Sequence, residues 1–139
     1  MAIAIQGLLE SRKVELDVDD VYYGDQNNLP HAWTIVVQAS QKNRALAGVA
    51  APGGVTMNEM IVNVYLYCAQ TGPEETLRFV VDSKAEQIEE ILHEDTTMGG
   101  IIIHGFVTDI EHGVVFKPNS QYRAVLLTYR GRTKTYLTQ

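Results

Sequence analysis

One stretch of the chain decides its fold: residues 57–100 read MNEMIVNVYLYCAQTGPEETLRFVVDSKAEQIEEILHEDTTMGG. Its first part, residues 57–68, is apolar at both alternating positions, a pattern typical of a strand covered on both faces. Val62 and Val64 would point to one side of a sheet, and Ile61 to the other. We therefore predict the central strand of the core here.

A long helix is predicted after that strand. Thr71 can cap its first turn together with Glu74, and Pro73 suits the first turn of a helix. Gly99 and Gly100 can adopt the left-handed conformation that ends a helix, so we expect the helix to end by this pair. Between these limits, apolar residues recur at spacings of three and four, which indicates one buried face. These residues are Leu77, Val80, Val81, Ile88, Ile91 and Leu92.

Two further strands are expected after the helix. Residues 101–110 are rich in β-forming residues, and a turn-like break follows at residues 111–113. A short extended piece is expected at residues 114–117 and a turn at residues 118–120. Residues 122–129 then alternate as a strand does.

The N-terminal part of the chain gives weaker signals. Ile5, Leu8 and Leu9 have helical spacing, which predicts a short helix that ends near Arg12 or Lys13.

Residues 17–30 contain many turn-forming residues, so we expect a loop there. Residues 33–39 alternate as a strand, whereas residues 41–55 are rich in alanine and glycine and favour a long flexible loop.

This order of elements predicts an α+β fold with a mixed, mainly antiparallel sheet. The long helix and the short N-terminal helix are expected to pack on one face of the sheet. A chain of 139 residues that is 45% hydrophobic and 20% charged suits one domain, covering residues 1–139.

Composition also bears on the class of protein. No stretch approaches the roughly 20 apolar residues that a membrane helix needs, and the apolar start lacks the basic residues of a signal peptide. We therefore expect no membrane contact. A formal net charge of -6 argues against a protein that wraps nucleic acid with its whole surface. Cys68 is the single cysteine and is expected to be a buried thiol.

Charge is unevenly distributed along the chain. Residues 74–95 hold eight acids against two bases, and no acid follows Glu111 in a C-terminal part with five basic residues. A head-to-tail contact between a negative and a positive side would close a ring of subunits. The acidic candidates for this interface are Glu74, Glu75, Asp82, Glu86, Glu89 and Glu90. The basic candidates are Arg123, Arg130, Arg132 and Lys134.

An enzyme or a small-molecule binding domain is the alternative class. The four histidines lack the i, i+4 spacing or the cysteine partner of a zinc site. Asp109 and Glu111 could form an acid and base pair near His104, but a solvated strand end is favoured because nothing nearby supplies a pocket. No serine has the Gly-x-Ser-x-Gly setting of a nucleophile. We expect no enzymatic activity and no cofactor.

Nucleic-acid binding by the C-terminal part is a further alternative. Arg130, Arg132 and Lys134 stand near Tyr129 and Tyr136, and such residues can contact nucleic acid by charge and stacking. The rest of the chain is acidic and the spacing alternates as a strand does, so direct binding is not favoured.

Several segments resemble the tail terminator and minor tail proteins of long-tailed, siphovirus-type bacteriophages. The resemblance rests on element order over residues 21–135 and on two strings. These are VTDIEHGV at residues 107–114 and QYRA at residues 121–124. The segment before the first long strand, residues 30–34, and the charged helix followed by glycines also fit the pattern.

The resemblance implies a virion protein of the tail, assembled in the host cytoplasm. Such a protein forms a ring, expected to be a hexamer, on the last ring of tail tube protein and stops tube elongation. Its other face would meet the head completion protein, and DNA would pass through the lumen without sequence-specific binding. Head–tail connector or head completion protein is the alternative within this class. The loop at residues 41–55 is longer than the pattern requires, and its candidate partner contacts are Lys42, Arg44, Val49 and Met57.

Overall fold

The computed structural model describes residues 1–24, 32–46, 55–69, 74–100, 102, 104–117 and 120–136. Within these ranges, the side chains of residues 41–46, 55–58, 74–75, 115–117, 120–121 and 133–136 are not described.

The helices of the described chain are α1 (Ala2–Ser11), α2 (Lys13–Leu16) and α3 (Glu74–His93). The strands are β1 (Asp20–Tyr23), β2 (Trp33–Leu46), β3 (Val55–Cys68), β4 (His104–Lys117) and β5 (Ser120–Tyr136). They form one five-stranded sheet in the order β1-β2-β3-β5-β4. All neighbours are antiparallel except β1 and β2, which are parallel. The predicted α+β fold is confirmed.

The central strand of the sheet is β3, as predicted. It lies between β2 and β5, and both of its faces are buried around Val64 and Tyr67. Val64 faces the side of the sheet that carries the helices, which we call the helix side. Tyr67 faces the opposite or far side, where it stacks on Tyr65 with ring centroids 5.8 Å apart. Cys68, at the end of β3, is a buried free thiol.

The main core fills the space between the helix side of the sheet and the helices. Ile5 and Leu9 of α1 and Ile88 and Leu92 of α3 have no exposed surface. Burying one such side chain contributes roughly 1.5–3 kcal/mol relative to leaving it in water. Packing against the sheet therefore holds both helices on one face, in agreement with the sequence prediction.

A buried lysine joins α3 to the end of α2. Lys84 is 7% exposed, and its Nζ donates hydrogen bonds to the carbonyl oxygens of Leu16 at 2.8 Å and Asp17 at 2.9 Å. The same Nζ lies 4.8 Å from the centroid of the Trp33 ring, where a cation is attracted to the π face. The ammonium thus satisfies carbonyl groups that the end of α2 leaves open.

The prediction of a loop over residues 17–30 is wrong for residues 20–23, which form the strand β1. This four-residue strand pairs with β2 from Thr34 to Val37, and Val21 is buried on the helix side. So short a segment carries too little alternation to be recognised, and its conformation is set by pairing with β2. Residues 25–30 lie outside the described residues.

The helix α3 ends at His93, before the glycine pair that was predicted to close it. A separate turn follows, in which the Asp95 carboxylate accepts hydrogen bonds from the backbone N–H groups of Thr97 and Gly99. Gly99 and Gly100 do have positive φ, 71° and 89°, but within this turn. The predicted capping residue Thr71 lies outside the described residues.

Two other predicted breaks need correction. Residues 111–113 lie within β4, which continues to Lys117; the irregularity is a bulge between Val107 and Asp109. The predicted loop at residues 41–55 is also too long, because β2 continues to Leu46 and β3 begins at Val55. In both cases pairing with a long neighbouring strand outweighs a weak local signal. Residues 47–54 and 118–119 lie outside the described residues.

The core is tightly packed where Gly105 meets Tyr129. Tyr129 of β5 is fully buried, and its hydroxyl has no hydrogen-bond partner among the described residues. Burial raises the pKa of Tyr129 to about 12. Gly105 of β4 lies against it, and a Cβ there would overlap the Tyr129 hydroxyl and the end of the Ile102 side chain.

Gly105→Ala is expected to lower the free energy of unfolding by about 1–3 kcal/mol, because the added methyl group overpacks this part of the core. Tyr129→Phe removes an unpartnered hydroxyl and should change that free energy by less than about 1 kcal/mol. In the double variant the loss caused by Gly105→Ala should shrink, since the methyl group gains the space that the hydroxyl leaves. Urea unfolding of the four proteins measures this coupling, and strictly additive losses would show that the hydroxyl is not the obstacle.

Candidate subunit interface

The predicted acidic residues of α3 form one continuous surface. Glu86 and Glu90 are exposed, and Asp82 and Glu89 are partly exposed beside them. We call these four residues the acidic surface. Glu74 and Glu75 stand in the first turn of the same helix, but their side chains are not described.

Few positive charges offset the acidic surface. Of the two bases in this part of the sequence, Lys84 is buried beneath the helix and only Arg78 is exposed. The inward position of Lys84 therefore makes the outward side of α3 more negative than the sequence alone indicates.

Glu94, just beyond α3, is engaged within the subunit. Arg12 donates to both of its carboxylate oxygens, at 2.7 Å and 3.1 Å, and also to Glu15 at 2.6 Å. The hydrogen bonds from Arg12 hold the pKa of Glu94 below its ordinary value. This cluster joins the junction of α1 and α2 to the end of α3, and it sets Glu94 apart from the acidic surface.

The basic candidates belong to β5, which is hydrogen-bonded to β3 on one side and to β4 on the other. Arg123 is half-buried near the start of the strand, whereas Arg132 is exposed near its end. Lys134 pairs in register with Met57, and the side chains of both residues are not described.

Arg130 is engaged within its own subunit. Its Nη1 lies 2.9 Å from Glu59 Oε1, and its Nε donates to Thr108 Oγ1 at 3.2 Å. Thr108 is the extra residue of the bulge in β4, so Arg130 links that bulge to β3. The prediction that Arg130 serves the acidic helix of a neighbour did not foresee this competing partner.

The acidic surface and Arg132 lie on opposite sides of the sheet. Tyr129 and Gly131 point to the helix side, where Tyr129 joins the main core and Gly131 lies against Met1. Since side chains alternate along a strand, Arg130 and Arg132 point to the far side. A subunit therefore cannot bring Arg132 to its own acidic surface.

Two histidines that were weighed as metal ligands have structural contacts. His93 Nε2 accepts a hydrogen bond from the backbone N–H of Val107 at 2.9 Å, which fixes the end of α3 to β4 beside the bulge. His112 Nε2 lies 3.4 Å from Asp82 Oδ1, a buried oxygen without a hydrogen-bond partner among the described residues.

The third histidine of this region, His104, is exposed and packs on Phe106 with ring centroids 5.4 Å apart. Asp109 and Glu111 are exposed on β4. Within the described ranges, no three His, Cys, Asp or Glu side chains are grouped to hold a metal ion.

The residues predicted as partner contacts in the loop at residues 41–55 lie partly in two strands. Lys42 and Arg44 belong to β2, in register with Met60 and Asn58, and Met57 belongs to β3. Val49 lies outside the described residues.

The comparisons with known proteins add no relative. No family model matches the sequence, and no curated protein matches it at a significant level. Among the described residues, no helix combines the length and apolar character needed to cross a membrane.

Arg12→Ala is expected to raise the pKa of Glu94 toward its ordinary value, because the guanidinium no longer donates to the carboxylate. Pairing lowers the folded-state pKa of Glu94 below its unfolded value. The pair therefore stabilises the fold at neutral pH, and this stabilisation is lost as the pH falls through the lowered pKa. Arg12→Ala should thus lose less stability on acidification than the wild type.

Thermal unfolding over a series of pH values, with an NMR titration of Glu94, measures this effect. Arg78→Ala is the matched control, since it removes an exposed arginine from the first half of α3. An unchanged titration of Glu94 in Arg12→Ala would contradict the assignment of the cause.

Proposed function

We propose that this protein is a structural ring subunit, the tail terminator of a long-tailed bacteriophage. The ring would cap the last ring of tail tube protein, stop elongation and present its other face to the head completion protein. The support is the sequence resemblance together with an element order, helix, two long strands, long helix and two long strands, that follows the same pattern.

The observation that supports a ring is that the acidic surface and the exposed Arg132 lie on opposite sides of one sheet. Contact between two acidic surfaces across a two-fold axis would bring like charges together, which disfavours that dimer. Contact between the acidic surface of one copy and Arg132 of the next is heterologous, and a heterologous contact closes into a ring when its rotation permits.

Apolar surface beside the charges would supply most of the stability of such a contact. An exposed ion pair contributes only about 0 to 1 kcal/mol. Phe79, on the outward side of α3, is 76% exposed, and Ile110 and Val114 of β4 are 38% and 48% exposed. Burial of these side chains would stabilise the contact between subunits through the hydrophobic effect. The charges would determine how the two subunits are oriented and how fast they associate.

The proposed function also has consequences for cofactors, catalysis and location. A ring subunit of this kind needs no cofactor and no catalytic group, and it would reside in the virion tail after assembly in the host cytoplasm. DNA would pass through the lumen without sequence-specific contacts.

A head–tail connector or head completion protein is the second candidate, because the same charge arrangement would also form a ring at the neck. Electron micrographs of the protein mixed with tail tubes discriminate these functions: a terminator binds the end of the tube, whereas a head completion protein does not bind bare tubes. A small-molecule site near His104 and Asp109 is disfavoured by the exposure of both residues.

Arg132→Glu is expected to weaken self-association and leave the monomer folded, because it places a negative charge opposite the acidic surface of the neighbour. We reverse Arg132 and not Arg130, because Arg130 holds the ion pair with Glu59 and the hydrogen bond to Thr108. Arg132 is in register with Glu59, so the circular dichroism spectrum of each variant must match that of the wild type. Sedimentation velocity at low salt gives the mass of the assembly, and added salt should weaken the wild-type assembly by screening.

Arg132→Gln is the matched control and should weaken association less than the reversal does. The double variant Glu86→Lys with Glu90→Lys should also lose self-association when it is alone. Mixing it with Arg132→Glu subunits should restore assembly, because the opposite charges then face each other again. If Arg132→Glu assembles as the wild type does at low salt, this interface is wrong.

A further inference from the structure

The helix α3 lies alongside β4, the last strand in the order of the sheet. Asp82 Oδ1 lies 3.4 Å from His112 Nε2, and His93 Nε2 accepts a hydrogen bond from the backbone N–H of Val107 at 2.9 Å. The helical rise from Asp82 to His93 and the strand rise from Val107 to His112 are both roughly 16 Å. The two elements therefore run side by side in opposite directions between these contacts.

The flank of α3 that faces β4 is acidic between the two contacts. Positions 82, 86, 89 and 93 follow one another at spacings of three and four, so Glu86 and Glu89 lie on the same flank as Asp82 and His93. Glu86 is exposed and Glu89 is partly exposed. Arg78, about one turn before Asp82, is exposed, and the acidic flank ends there. The carboxylates of Glu86 and Glu89 are therefore level with the middle of β4.

The middle of β4 exposes apolar side chains on this same side of the sheet. Ile110 is in register with Leu127, which belongs to the main core, so Ile110 points to the helix side, and alternation gives Val114 the same direction. These two side chains are 38% and 48% exposed. We call Asp82, Glu86, Glu89, Ile110 and Val114 together the α3–β4 surface. It places carboxylates directly beside exposed apolar groups.

The far side of the sheet carries an aromatic ring beside a cation at one end of β4. Phe106 and His104 are in register with Arg130 and Arg132, so all four side chains point to the far side. Phe106 is 44% exposed and packs on His104. Arg132 is exposed, and as the diagonal neighbour of Phe106 on the paired strand it lies about 7–8 Å away. One apolar group and one cation can thus reach adjacent apolar and acidic groups at the same time.

Other charges on the far side determine which part of it can meet the α3–β4 surface. Asp109 and Glu111 are exposed and point to the far side, since they are in register with Thr128 and Leu126. These acids would repel the carboxylates of α3. The end of β4 with Phe106, next to Arg132, is therefore the part of the far side that suits this surface.

We propose that Phe106 of one subunit packs on Ile110 and Val114 of the next subunit, while Arg132 beside it pairs with Glu86 and Glu89. This inference rests on the proposed ring and names the apolar anchor of its contact. A second copy is the occupant because the two matching surfaces belong to the same chain and point to opposite sides of its sheet. A few aromatic and arginine anchors commonly carry most of the binding energy of an interface.

Phe106→Ala tests the anchor. The dissociation constant for self-association should rise by on the order of thirtyfold or more, because the variant removes an aromatic group from the centre of the contact. Tyr23→Ala is the matched control, since Tyr23 is 52% exposed on β1 at the opposite end of the sheet, and it should leave association unchanged. Sedimentation velocity over a concentration series measures both, and circular dichroism checks that each monomer is folded. Association of Phe106→Ala equal to that of the wild type, or an equal loss in both variants, would overturn the proposal.

Crosslinking tests where Phe106 docks while its ring stays intact. The double variant His104→Cys with His112→Cys carries one thiol on the far side and one on the helix side, roughly 26 Å apart along β4. A short bismaleimide can therefore join them only between subunits, and the native Cys68 is buried. We expect a ladder of covalent multimers on a denaturing gel. His104→Cys with Val14→Cys is the matched control and should give no ladder, since Val14 is 89% exposed on α2.

The outcomes separate this inference from the proposed function. If electron micrographs show rings but the double cysteine variant gives no ladder, the ring closes through another contact and this inference is wrong. If His104→Cys alone is linked into dimers as efficiently as the double variant, the copies meet through like surfaces and both proposals are wrong. If the protein stays monomeric at all concentrations and salts, both proposals fail.

Discussion

Burial of the apolar face of α3 against the sheet is the constraint on which the other features depend. With Ile88 and Leu92 fixed in the core, the helix has one orientation about its axis, and Glu86 and Glu90 must point to solvent. The same packing draws Lys84 inward, where it binds the end of α2. Hydrophobic packing thus determines an electrostatic property, since it leaves the outward side of the helix acidic.

The sheet then separates this acidic surface from Arg130 and Arg132 of β5. Alternation along β5 puts Tyr129 in the core and Arg132 on the far side. Because a five-stranded sheet lies between them, neutralising one charge with the other requires a second molecule. These features all favour assembly through unlike surfaces.

Periodicity allowed much of this fold to be predicted. The apolar alternation around Val64 identified the central strand, and the helical spacing from Leu77 to Leu92 identified α3, because both patterns are long and strong. The short strand β1 and the continuity of β4 through residues 111–113 depend on pairing with distant segments, which no local pattern reports. The candidate site divides in the same way: the acids of α3 lie where expected, whereas the partners of Arg130 and Lys84 come from elements far away in sequence.

We infer that unlike surfaces of identical subunits close into a ring. Electron micrographs of the purified protein at low ionic strength and high concentration test it most directly. We expect closed rings, with six copies as the resemblance implies, in which every subunit has the same orientation about the central axis. Monomers alone, or two-fold dimers that join like surfaces, would contradict it.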